Sequence, residues 1–121
     1  MNRQELEKYI YDNYGVKSEY PWIKYSTFAV FRHISSKKWF AVIMNIDKSK
    51  LGIKEDGQID VVNLKCDANI VPSMWEQQGV FPAYHMNKEH WLTVALDGTA
   101  KENNIKFLLA LSYDLTAQKK R

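Results

Sequence analysis

Between Gly79 and Leu96 two apolar, β-prone runs flank Asn87 and Lys88, and an asparagine at such a break is a turn former. This stretch constrains the fold more than any other. It predicts a β-hairpin closed by a two-residue loop, although lysine suits the second loop position less well than glycine. Turn length sets register, so Met86 then faces Glu89, His85 faces His90, Tyr84 faces Trp91, Ala83 faces Leu92 and Phe81 faces Val94. On that pairing one face carries Phe81, Ala83, Leu92, Val94 and Leu96, with both histidines at its tip. The other face carries Pro82, Tyr84, Trp91 and Thr93.

A second pair of such runs, Thr27 to Ile34 and Lys37 to Ile46, breaks at Ser35-Ser36. Pairing Ile34 with Lys37 sets Arg32 opposite Trp39, Phe31 opposite Phe40, Ala29 opposite Val42 and Phe28 opposite Ile43. Gln58 to Cys66 reads as a further strand, with Val62 and Leu64 alternating against Val61, Asn63 and Lys65. The polar, lysine-rich residues 47–57 are expected to form a loop, as are residues 16–26, where Trp22 is an aromatic anchor.

Helical spacing appears in three places. Asn2 and Glu5 form a capping-box pair ahead of Leu6, Tyr9, Ile10 and Tyr14, which predicts a helix over residues 3–14. Asp67 can cap a helix carrying Ile70, Met74 and Trp75 and ending near Gln78-Gly79, with Pro72 forcing a late start or a bend. Thr99 and Glu102 suggest a second capping box before Ile105, Leu108, Leu109 and Ser112, in a helix reaching Leu115. The resulting order is α-β-β-β-α-β-β-α. Each helix has one apolar stripe to bury, so the expected fold is α+β, a two-layer sandwich with all helices on one face of a five-stranded antiparallel sheet.

At 121 residues the chain is expected to be a single domain over 1–121, with a flexible basic tail at 117–121. The net charge of +3 permits a polyanionic partner, but Lys119-Lys120-Arg121 alone supplies that excess. With neither a signal peptide nor a long apolar run, a cytoplasmic protein without a membrane partner is expected. Cys66 is the lone cysteine and is expected to be a buried thiol.

The chemistry-bearing residues are few. His85 and His90 across a hairpin offer two metal ligands and no third, His33 is isolated, and Cys66 has no base beside it. The scattered glycines form no phosphate-binding loop. No metal, cofactor or catalytic group is therefore expected, and the chain reads as a binding protein rather than an enzyme. Arg32, Trp39, Lys65, Tyr84 and Trp91, with Asn63 and Thr93, are expected on the sheet face opposite the helices. Aromatic rings flanked by cations suit base stacking and phosphate contact, and the same residues also suit ordinary packing.

At Phe31-Arg32-His33, Lys38-Trp39-Phe40-Ala41, Val62-Asn63-Leu64-Lys65-Cys66 and Phe81-Pro82-Ala83-Tyr84-His85-Met86-Asn87-Lys88-Glu89-His90-Trp91, the chain resembles the MmcQ/YjbR family. The resemblance runs from the first helix to Asp114-Leu115. It implies a two-layer fold similar to frataxin-like and secretion-chaperone-like domains, and a DNA-binding role through a double-wing motif made of hairpins. The positions it matches are Arg32, Lys65, Tyr84, His85, Asn87, Lys88, His90 and Trp91, none with a catalytic role. Family members often carry proline directly after the Asp that caps the middle helix, where this chain has Ala68. DNA contact through Lys88, Asn87 and Lys37-Lys38, with Tyr84 and Trp91 as an aromatic surface, is the leading expectation. The alternatives are a protein-interaction or homodimerisation face on the sheet, and a small-molecule or metal site at His85 and His90.

Overall fold

The computed structural model describes residues 1–117, so the expected basic tail lies outside the described residues apart from Ala117. The elements are α1 (Arg3–Tyr14), β1 (Ala29–Arg32), β2 (Trp39–Asp47), β3 (Gln58–Lys65), α2 (Val71–Met74), β4 (Val80–Pro82), β5 (Trp91–Ala95) and α3 (Glu102–Thr116). The strands form one five-stranded antiparallel sheet in the order β1-β2-β3-β5-β4. The fold is α+β with the expected element order.

Helix α1 starts where its capping box places it: Glu5 N donates to Asn2 Oδ1 at 2.8 Å and Asn2 N donates to Glu5 Oε1 at 2.9 Å. Its apolar stripe buries Leu6 and Ile10, and α3 buries Ile105, Leu108 and Leu109. These side chains, with Val71 of α2, pack on Phe31, Phe40, Ile43, Val62, Leu64, Leu92 and Val94 of the sheet. All three α-helices therefore lie on one face. Full burial of each large apolar side chain contributes about 1.5–3 kcal/mol, so this layer dominates the stability of the domain.

The opposite face, called the outer face below, is not bare. Val30, Val42, Met44, Ile59, Val61 and Ala95 are buried there beneath Trp22, Phe28, Leu51, Ile53 and Phe81. Burial on both faces explains why β2 reads as a continuous apolar run from Phe40 to Met44 rather than an alternation. The covering segment is tied to the edge strand, because Glu19 N donates to Val30 O at 2.9 Å and Val30 N returns the bond to Glu19 O at 2.8 Å. Leu51 comes from a 3-10 turn, Lys48–Leu51, inside the stretch expected to be loop.

Four local expectations are corrected. In the β4–β5 hairpin Phe81 pairs with Thr93, Val80 with Val94 and Pro82 with Leu92, one residue out of the expected register. Asn87 is the cause: its Oδ1 accepts from Glu89 N at 2.7 Å and its carbonyl from Trp91 N at 3.0 Å, so it opens a turn of its own. The connection runs from residue 83 to residue 90 instead of closing at two residues, and the slip moves Phe81 to the outer face. In the β1–β2 hairpin Arg32 does face Trp39, but a bulge then puts Phe31 opposite Ala41 and Ala29 opposite Ile43. The extra residue lets Phe31 and Phe40 both point into the helix layer, with ring centroids 6.5 Å apart.

The middle helix is short. Asp67 Oδ1 accepts from Asn69 N at 2.9 Å, which makes a turn, and Pro72 is tolerated only in the first turn of the helix that follows. The second capping box does not form, because Thr99 donates both its N–H and its hydroxyl to Asp97 Oδ1. Lys101 takes the N-cap position of α3 without a side-chain bond.

Candidate functional site

β1 ends at Arg32, β2 begins at Trp39, β3 ends at Lys65 and β5 begins at Trp91. Arg32 pairs with Trp39, Lys65 pairs with Trp91, and the pairing of Ala41 with Leu64 brings the start of β2 beside the end of β3. Leu64 and Leu92 point to the helices, so their neighbours Lys65 and Trp91 point to the outer face. The outcome is a transverse row alternating cation and aromatic, roughly 14 Å across three strand spacings. The 33–38 turn and the 83–90 connection leave the sheet at this same end, which places Lys37, Lys38 and Lys88 there as well.

The cations of the row differ. Arg32 is held by both oxygens of the Glu19 carboxylate, with Nε at 3.0 Å from Oε2 and Nη2 on Oε1. That pair raises the Arg32 pKa and lowers that of Glu19, chiefly through their hydrogen bonds. Arg32 therefore fixes the 16–28 segment to the sheet. Lys37, Lys38, Lys65 and Lys88 make no ion pair among the described residues. Glu89 and Asp67 also lie at this end and temper the positive field. Trp39 and Trp91 are half-buried, and the Trp39 ring stands edge-on to Trp22 at 5.3 Å.

One turn of sheet inward, a polar knot fixes the 83–90 connection. Tyr84 N donates to Thr93 Oγ1 at 2.8 Å, the Thr93 hydroxyl donates to Asn63 Oδ1 at 2.5 Å, and Asn63 Nδ2 donates to Tyr84 O at 2.7 Å. Tyr84 thus packs on the outer face, as expected, but beside Thr93 and Asn63 rather than across from Trp91. His85 follows with φ 62°, a left-handed conformation that costs a non-glycine residue about 1–2 kcal/mol. Its ring lies 4.0 Å from that of Tyr84. His90 instead closes the Asn87 turn and gives its carbonyl to Cys66 N at 2.7 Å. The two histidines do not pair across a hairpin, and no group of three metal-ligating side chains occurs among the described residues.

The knot borders a cleft that the sequence reading missed. Val42, Met44 and Asn63 form its floor, Trp22, Tyr25 and Phe28 one wall, and His85 with Met86 the other, around about 310 Å³. Tyr25 stacks on Phe28 at 5.0 Å and Phe28 meets Trp22 edge-on at 6.3 Å. Trp22 was read as a loop anchor, and it is one. Only the density of aromatics between Tyr20 and Phe28 could have hinted that the anchored loop also makes a wall.

The remaining reactive groups are packing groups. His33 is buried against Phe40 and Tyr113 with Nε2 2.9 Å from Thr116 Oγ1, and burial holds its pKa below the usual histidine value. Burial likewise pushes the Cys66 thiol up, away from a reactive thiolate. No helix among the described residues is long and apolar enough to cross a membrane.

The arrangement has clear relatives. The YjbR family model matches residues 12–115. The chain is 40% identical over 116 residues to the uncharacterized protein YyaQ of Bacillus subtilis (strain 168), covering 96% of this chain and 98% of that one. It is 36% identical over 62 residues to Escherichia coli (strain K12) YjbR, about half of each chain (50% and 52%). A crystal structure from Pseudomonas syringae superposes with a TM-score of 0.94 at 43% identity, over 97% of this chain and all (100%) of that one. A Deinococcus radiodurans protein with domain DUF419 shares the fold, at TM-score 0.71 and 24% identity over 98% of this chain and 80% of that one. With a family model spanning most of its length and a relative aligned end to end, the chain belongs to the YjbR family.

Proposed function

We propose that this protein binds nucleic acid, without catalysis and in the cytoplasm, through the end of the sheet that carries both hairpin connections. One observation supports the reading: Lys37, Lys38, Lys65 and Lys88, free of ion pairs among the described residues, converge on the end where Trp39 and Trp91 alternate with cations. The lysines supply phosphate contact and register, and the indoles supply faces for stacking. The two connections, 33–38 and 83–90, act as the paired wings. DNA is the first polymer to test. Fluorescence anisotropy with labelled single- and double-stranded DNA and RNA, at low and moderate salt, is the assay. Salt-sensitive binding is expected; its absence even at low ionic strength defeats the reading.

A second reading is a protein-binding or homodimeric face at the same end. Ile34, 70% exposed in the turn between β1 and β2, favours it, because an aliphatic side chain at a tip gains nothing from phosphate. Sedimentation of the free protein over a range of concentrations separates self-association from the nucleic-acid reading.

A further inference from the structure

We propose that the cleft on the outer face takes a planar nitrogen heteroaromatic molecule, of the nucleobase class, with its edge on Asn63 and its face on the wall of aromatic rings. The choice of nucleobase rests on the nucleic-acid reading; the planar shape and polar edge rest on the cleft itself.

Asn63 carries the argument. It is 1% exposed, and its amide uses one Nδ2 hydrogen on Tyr84 O and one Oδ1 lone pair on the Thr93 hydroxyl. A primary amide has two donor hydrogens and two acceptor lone pairs, so one of each remains, in a group that lines the cleft floor. An adjacent donor and acceptor on one amide is the complement of a base edge, the pairing by which asparagine recognises adenine. The knot with Tyr84 and Thr93 fixes the amide orientation before any ligand arrives. The rest of the cleft is apolar and aromatic, and its volume of about 310 Å³ suits a small ring system. Trp22 belongs to this wall and also meets Trp39 of the cation-aromatic row, so a base in the cleft has its sugar and phosphate within reach of the lysine-bearing end. His85, held at φ 62° on the facing side, is a strained residue of the kind that gathers at binding sites.

The test is a titration of the isotope-labelled full chain with adenosine, and separately with indole, followed by NMR. Adenosine is expected to move the Trp22 indole and Asn63 side-chain amide signals saturably. Indole, which has a donor and no ring acceptor, is expected to bind about tenfold more weakly or worse. Tyr25→Ala removes a stacking face from a residue 47% exposed, with little threat to folding, and is expected to weaken adenosine about tenfold. Met86→Trp, filling the cleft from its other side, is expected to abolish the shifts. Unmoved Trp22 and Asn63 signals overturn the proposal, and so does equal affinity for indole, which would make the cleft merely apolar.

An oligodeoxyadenylate arm at two salt concentrations separates the sources of the base. Salt-sensitive binding that moves the same signals places the base in a strand. If adenosine binds and the oligonucleotide does not, the ligand is a free nucleoside, the cleft proposal stands and the nucleic-acid interface falls. If the oligonucleotide binds with Trp22 and Asn63 unmoved, the interface stands and the cleft proposal falls.

Discussion

Lys65 and Trp91 stand directly opposite each other on neighbouring strands, the last residue of β3 against the first of β5. Charge and stacking surface are therefore adjacent on one face, and they can be removed separately. Lys65→Ala is expected to lower the slope of log affinity against log salt by about one unit, with little dependence on base sequence. Lys88→Ala should do the same. Trp91→Ala should cost on the order of 1–3 kcal/mol per base stacked while leaving the slope nearly unchanged. Anisotropy titrations at several salt concentrations give both quantities, once circular dichroism shows each variant folded.

Ser112 joins the last helix to two strands at once. Its hydroxyl donates to Phe40 O at 2.6 Å and accepts from Lys65 N at 2.9 Å. Ser112→Ala strands both backbone groups in a buried site and is expected to destabilise the fold by about 1–3 kcal/mol. Urea unfolding measures this. Because Lys65 N is one of the stranded groups, the variant also tests whether the cation-aromatic row depends on the helix layer for its position.

Two glycines with left-handed backbones should respond unequally to alanine. At Gly79 (φ 79°) an added Cβ would meet Ala100 N at 2.7 Å and Ala100 Cα at 2.8 Å, whereas at Gly52 (φ 75°) it meets nothing within 4 Å. Gly52→Ala carries the conformational cost alone, about 1–2 kcal/mol, while Gly79→Ala adds overpacking of a further 1–3 kcal/mol or so. Thermal melts of the two variants should rank in that order. Gly79 also sets the entry to β4, with its carbonyl accepting from Ala95 N at 2.8 Å, so its variant should disturb the 83–90 connection as well.

His33 makes stability depend on pH. Burial lowers its folded-state pKa, a bond with the Tyr113 backbone opposes this in part, and Lys38 adds to the lowering. With the folded pKa below the unfolded value of about 6.5, the unfolded chain binds more protons in the window between them. The stabilisation is thus fully present above pH ~6.5 and is lost as pH falls toward the folded pKa. Unfolding free energies measured from pH 7.5 down to about pH 5 should decline, and His33→Gln should flatten the decline.

Local signals determined much of this protein. The Asn2–Glu5 capping box and the Leu6-Ile10 stripe fix α1 because capping and helical spacing act within a few residues. Alternation in Val61 to Lys65 assigns Asn63 and Lys65 to one side of β3 without reference to any other strand. Arg32 opposite Trp39 followed from a nearby turn. Where the sequence reading failed, the deciding contact was distant or the choice was nearly degenerate. Asn87 suits both a two-residue hairpin loop and a turn of its own, and the choice fell with the knot that Tyr84 makes to Asn63 and Thr93. The bulge at Phe40 exists because the helix layer receives both Phe31 and Phe40, a packing demand that strand propensity does not encode. The cleft depends on the 16–28 segment lying across β2, fixed by Glu19 on Arg32 and Trp22 on Trp39. That segment has no period of its own, so only the tertiary contacts of its side chains could decide where it lies.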